Sequence, residues 1–89
     1  MEKEDLLELN EIREEQGIDI DIFEEVLTKA IKYQMDSVDL ISDQEVKEII
    51  IETLCRIDYR DFNRIDGYLK SLDESFEDAL RVLGYKKTK

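Results

Sequence analysis

Residues 42–57, SDQEVKEIIIETLCRI, decide the fold of this chain. The stretch opens with a serine whose hydroxyl can accept from an early helix amide, and a glutamate three residues later can accept from the serine amide in return. Apolar side chains then recur at helical spacing over a broad face: Val46, Ile49, Ile50, Leu54 and Ile57. A face of this width predicts the central, most buried helix of a helical bundle.

Two further helices are predicted on the N-terminal side of this stretch. The first covers about residues 3–16 and ends at Gly17, a residue suited to the left-handed conformation that closes a helix. Its inward side carries Leu6, Leu9 and Ile12. The second is capped by Asp19 or Asp21, the latter with Glu24 in a capping-box spacing, and runs to about residue 34. Its predicted inward stripe is Phe23, Leu27, Ala30 and Ile31, with Val26 and Tyr33 at the margins.

The C-terminal part predicts one or two more helices. A fourth helix is expected to begin at residues 58–61 and to continue through Gly67, because apolar residues keep their helical phase across that glycine. A fifth is expected to open at Ser71 or Asp73 and to end at Gly84, with Tyr85 touching Leu80. The predicted class is therefore all-α: a compact bundle of four to five short helices, forming one domain over residues 1–85, with a frayed basic tail at 86–89.

Composition excludes several classes of protein. The longest unbroken apolar run is three isoleucines at 49–51, far short of the roughly 18 residues that span a bilayer. No signal-peptide core follows Met1. A single cysteine, Cys55, allows no disulfide within the chain. These features predict a cytoplasmic protein with no membrane segment.

The net charge points to a basic partner. Acidic residues number 24 and basic residues 13, a formal charge of −11. Nucleic acids and anionic membranes are bound through lysine and arginine, so direct contact with either is disfavoured. Basic protein surfaces, by contrast, are attracted and meet this chain faster through long-range steering.

Catalytic and metal-binding signals are weak. The chain contains no histidine, which removes the commonest general base and the usual metal ligand. Cys55 lies beside Leu54 and is expected to be a small buried side chain. Three carboxylates near one helical face could hold Mg²⁺: Glu45, Glu48 and Glu52. A solvated acidic face is the favoured explanation, because an octahedral metal site needs oxygen ligands that converge from several elements. We therefore predict no enzyme, cofactor or bound metal, and keep a Mg²⁺-dependent all-α enzyme as a distant alternative.

The acidic residues are concentrated at the N-terminal end. The first 25 residues hold eleven acidic and two basic residues, a net charge of −9, whereas the remaining 64 carry −2. On the first helix the carboxylates of Glu4, Glu8, Glu11 and Glu15 form one stripe, in which neighbours repel, so folding is expected to gain nothing from it. The predicted partner-binding residues are this stripe together with Asp19 and Asp21.

These residues predict a small protein-binding module. It would be an inhibitor or accessory factor, of the kind found in phages and mobile elements, that docks its acidic N-terminal helices on a basic surface. Suitable surfaces are the nucleic-acid-binding groove of a nuclease, a toxin or a transcription component, with carboxylates imitating phosphates. The first alternative is a homodimeric assembly protein, in which the charge serves only solubility.

Overall fold

Four helices make up the part of the chain that the computed structural model describes, which is residues 2–37, 41–57 and 65–85, with backbone alone for 65–70. They are α1 (Lys3–Gln16), α2 (Ile20–Asp36), α3 (Asp43–Arg56) and α4 (Ile65–Leu83). The radius of gyration is 12.4 Å, close to the roughly 12 Å of a compact domain of this length. The predicted all-α, compact class is confirmed. None of these helices is long and apolar enough to cross a bilayer.

Helix α3 is the centre of the bundle, as its sequence predicts. It packs against α1, α2 and α4. The predicted capping box is present: the Ser42 hydroxyl accepts from the Glu45 amide at 3.2 Å, and the Glu45 carboxylate accepts from the Ser42 amide at 3.2 Å. The one buried polar residue in the described core, Thr53, donates its hydroxyl proton to the carbonyl oxygen of Ile49 at 2.7 Å. This bond satisfies a hydroxyl that would otherwise destabilise the core.

Helices α1 and α4 end in the same glycine motif. Gly17 has φ of 71° and Gly84 has φ of 86°, the left-handed region that glycine adopts without strain. In each motif the amide of the following residue donates to a carbonyl five positions back: Ile18 to Arg13 at 3.1 Å, and Tyr85 to Leu80 at 2.8 Å. Both helices therefore end in a Schellman motif. The motif after α1 directs Ile18 into the core, where it is buried.

Helix α4 differs from the prediction of two C-terminal helices. It runs unbroken through Gly67, as expected, but also through Ser71 and Asp73, so the predicted start of a fifth helix there is wrong. The buried side chains Leu72 and Phe76 lie one turn apart across that point, and the packing they share holds the helix together. The predicted start at residues 58–61 and the predicted tail at 86–89 lie outside the described residues.

Helix α2 is rotated and extended relative to its prediction. It continues to Asp36 and not to Gln34. Val26 and Tyr33, expected at the margins, are buried, whereas Ile31, expected in the core, is 43% exposed. The reason is that Tyr33 packs edge-on against Phe76 of α4, with ring centroids 6.1 Å apart, and this contact turns the opposite flank of α2 outward.

Cys55 and Leu6 are two further corrections. Cys55 is exposed and not buried. One residue along a helix is a rotation of about 100°, which carries Cys55 away from the face on which its neighbour Leu54 is completely buried. Leu6 is 40% exposed, so the predicted inward side of α1 is narrower than its spacing suggests.

Candidate partner-binding surface

Helix α1 lies on the outside of the bundle. Its only fully buried residue is Leu9, and Ile12 is partly buried against the core. The helix therefore rests on α3 along a narrow line and turns most of its circumference to solvent. This placement follows from its sequence, in which charged residues outnumber apolar ones.

All four carboxylates in the predicted stripe are exposed, including Glu8, whose side chain is 54% exposed although it has an ion pair. Glu4, Glu11 and Glu15 are exposed, and no hydrogen bond or ion pair joins them to any residue that the structure describes. Neighbouring members of such a stripe have Cβ atoms about 5–6 Å apart. The outward side of α1 is thus a regular row of negative charge that the described fold does not use.

Glu8, the fourth member, is used by the fold. The Lys47 ammonium of α3 lies 2.5 Å from a carboxylate oxygen of Glu8 and 3.2 Å from one of Asp5. The Lys47 side chain is only 12% exposed, and its hydrogen bonds to Glu8 and Asp5 raise the pKa of its ammonium. The expectation that folding gains nothing from the stripe is therefore wrong for Glu8, because the ion pair joins α1 to α3.

Asp19 and Asp21, the other predicted partner-binding residues, lie at the start of α2 and not on α1. Asp19 is the N-cap of α2, and its carboxylate accepts from the Asp21 amide at 3.4 Å. Asp21 lies in the first turn of α2, exposed. The capping-box pairing of Asp21 with Glu24 is accordingly not the one formed. Asp19 has a structural role in addition to any binding role, while Asp21 adds an exposed charge close to the end of α1.

Arg13 fixes the turn between the two acidic helices. Its guanidinium donates to the carbonyl oxygen of Ile18 and to the side-chain oxygen of Asn10, both at 2.8 Å. The same group lies over the ring of Phe23, 5.9 Å from its centroid. One of only two basic residues among the first 25 is thus engaged internally. The spacing of apolar residues gave no sign of this role.

Leu7 is the apolar residue of this surface. It is 57% exposed. Along the helix it lies one turn after Glu4 and one turn before Glu11, and Glu14 follows two turns after it on the same side. A single exposed leucine is ordinary on a protein surface. Its distinguishing feature here is its position within a row of carboxylates, which sequence analysis missed because Leu7 falls outside the inward spacing of α1.

Two of the three carboxylates of the magnesium alternative, Glu45 and Glu52, are engaged in other contacts, whereas Glu48 is exposed. Glu45 closes the α3 capping box and accepts from the Tyr85 hydroxyl at 2.8 Å, and these hydrogen bonds, led by that of Tyr85, lower its pKa. Glu52 accepts from the guanidinium of Arg56 at 3.0 Å. Within residues 2–37, 41–57 and 65–85 there is no group of three acidic or cysteine side chains that could hold a metal ion.

A second exposed feature lies on α2. Ile31 is 43% exposed and Met35, one turn further along, is 79% exposed. Together they form a short apolar edge on the flank that the Tyr33–Phe76 contact turns away from the core. It is separate from the acidic row of α1.

Comparison with known proteins adds no family to this description. The chain matches no protein-family model, no curated protein and no solved structure.

Proposed function

We propose that this protein is a small binding module, an inhibitor or accessory factor of the cytoplasm, that docks the outward side of α1 on a basic protein surface. The supporting observation is that Glu4, Leu7 and Glu11 are exposed side by side, and the described fold uses none of them. Carboxylates that repel one another and a leucine left in water both cost free energy. A partner that covers them would recover part of that cost.

Charge and apolar surface would contribute differently to the complex. The negative row attracts basic surfaces over long range and raises the rate of association, an effect that salt screens. Leu7 offers apolar area to a recess in the partner, and burial of such a side chain contributes about 1.5–3 kcal/mol when complete. Nucleic-acid-binding grooves of nucleases, toxins and transcription components provide the required basic surface, on which carboxylates one helical turn apart would occupy phosphate positions.

The experiment is affinity capture at low salt with elution at high salt, repeated with two matched charge-reversal variants. Glu4→Lys with Glu11→Lys removes the row around Leu7. Asp36→Lys with Glu74→Lys makes the same change in net charge at exposed positions on α2 and α4. We expect the first variant to lose the partner and the second to retain it, with circular dichroism showing the same helix content in both. Full capture by the first variant would rule out this face of α1 as the interface.

Leu7 is tested separately from charge. With the captured partner in hand, Leu7→Ala should weaken binding by about tenfold, because a fully buried leucine loses roughly 1.4 kcal/mol or more of its transfer free energy. The salt dependence should stay that of the unmodified protein, since no charge is changed. Unchanged affinity would show that the interaction is electrostatic alone.

A second candidate, assembly into a homodimer, is supported by the apolar edge of Ile31 and Met35. Two such edges can pack against each other across a two-fold axis, with the acidic α1 left in solvent. Light scattering over a range of protein concentrations tests this directly. A dimer that Met35→Lys converts to monomer supports assembly through α2, whereas a monomer at every concentration excludes it.

A further inference from the structure

Helix α1 is attached to the bundle by fewer buried residues than its neighbours. One of its 14 residues, Leu9, is fully buried, whereas α2 and α3 bury five residues each. Leu6, which was expected to widen the contact, is 40% exposed. Local stability follows the number of buried apolar contacts. By this measure α1 is the most weakly held of the three helices.

The Lys47 ion pairs provide the long-range polar contact between α1 and α3. Lys47 reaches both Asp5 and Glu8 across the helix interface, 42 and 39 residues away in sequence. Arg13 of α1 forms only local hydrogen bonds among the described residues, to Asn10, Glu14 and Ile18. These bonds can move together with the helix. Its stacking on Phe23 is the contact that reaches α2.

Isolated from α3, α1 has little reason to remain helical. Helices shorter than about 12–15 residues are marginal in water even with the best sequences. The carboxylates of Glu4, Glu8 and Glu11 repel one another along this one, and its N-cap, Glu2, forms no side-chain capping bond. Loss of the contact with α3 should therefore unwind α1, which makes its amide protons a direct report of attachment.

We propose that α1 is a detachable arm, which leaves α3 and unwinds while α2, α3 and α4 stay folded, and that Lys47 sets how often it does so. This inference goes beyond the proposed function and stands without any partner. Asp5 and Glu8 then control attachment of the arm, because a cationic group that pairs with either carboxylate in place of Lys47 weakens the contact between α1 and α3. Binding on α1 and detachment of α1 would then be coupled through one lysine.

Native-state hydrogen exchange of the full chain, without partner, tests the arm. In the unmodified protein the amides of α1 should exchange at least about tenfold faster than those in the middle of α3, because the arm opens without global unfolding. Lys47→Met keeps the apolar stem and removes the charge. It should accelerate α1 exchange by roughly two- to fivefold, the range of an ion pair near the surface, and leave α3 unchanged.

Two variants serve as controls. Lys47→Arg keeps the charge and should retain the exchange rate of the unmodified protein. Lys29→Met removes the ion pair that joins α2 to Asp73 of α4, and it should leave α1 unaffected. Equal protection of α1 and α3 in the unmodified protein would overturn the proposal. So would a Lys47→Met effect that accelerates both helices alike, since this would show one cooperative unit. If Lys47→Met does not fold, the comparison of α1 with α3 in the unmodified protein still decides whether α1 opens separately from the rest of the bundle.

Discussion

Replacement of Tyr85 by phenylalanine tests how the end of α4 is tied to the start of α3. The Tyr85 hydroxyl donates to the Glu45 carboxylate at 2.8 Å, and its ring lies edge-on to Tyr33 with centroids 6.4 Å apart. Burial, followed by the hydrogen bond and the negative charge of Glu45, raises the pKa of Tyr85 to about 12. The fold therefore favours the neutral phenol that donates this bond.

The pKa of Tyr85 bounds the free energy at stake. A tyrosine in the unfolded chain titrates near 10, and each pH unit between the two values corresponds to about 1.4 kcal/mol, for an upper limit of about 2.7 kcal/mol. The hydroxyl is partly exposed, and solvent screening reduces the expected contribution to about 1 kcal/mol. This contribution is complete below pH 10 and is lost as the pH rises from 10 to 12, because the folded state resists the ionisation that the unfolded state accepts.

Urea unfolding followed by circular dichroism measures the effect. At pH 8, Tyr85→Phe should lower the free energy of unfolding by about 1 kcal/mol. By pH 12 the two proteins should have nearly the same stability. The titration of lysines, including Lys47, occurs in both and cancels in the difference. A gap that is the same at pH 8 and pH 12 would refute the role given to the Tyr85 hydroxyl.

Three further predictions concern α1, its terminus and the cysteine. Leu9→Ala should destabilise the protein by about 2–3 kcal/mol and Leu7→Ala by no more than about 0.5 kcal/mol; equal losses in urea unfolding would contradict their assigned burial. Gly17→Ala should cost about 1 kcal/mol by thermal unfolding, because its φ of 71° strains any residue with a Cβ although space is open around it; an unchanged midpoint would contradict this. Cys55 should react with a thiol reagent in the native protein within minutes, and protection until denaturant is added would show that it is buried after all.

The helix ends at Gly17, Ser42 and Gly84 are predictable from the sequence because their signals are local. The capping box of Ser42 and Glu45 closes within four residues, and the Schellman motifs at Gly17 and Gly84 close within six. The free energy of such a motif depends mainly on the residues inside it. The error at Ser71 and Asp73 has the same origin: both are good capping residues, but a helix packed on both sides of them does not need to stop there.

The direction in which each helix faces was predicted less well. Val26 and Ile31 are both apolar and lie near opposite edges of the same stripe, and only packing against α3 and α4 decided that Val26 is buried and Ile31 exposed. The same uncertainty applied to Cys55 beside Leu54. Helical spacing defines a face to within about one residue, or roughly 100° of rotation, and the neighbouring helices choose within that range.

The candidate surface on α1 likewise has features that follow from the sequence and features that follow only from tertiary packing. The sequence by itself determined an all-α chain, the helix ends at Gly17, Ser42 and Gly84, and the concentration of negative charge in the first 25 residues, because composition, caps and periodicity act over a few positions. The tertiary structure decided that Glu8 is joined to Lys47, 39 residues away, while Glu4 and Glu11, beside Leu7, form no ion pair with any described residue. Carboxylates of identical spacing and chemistry acquire different roles only when a second helix places a cation next to one of them.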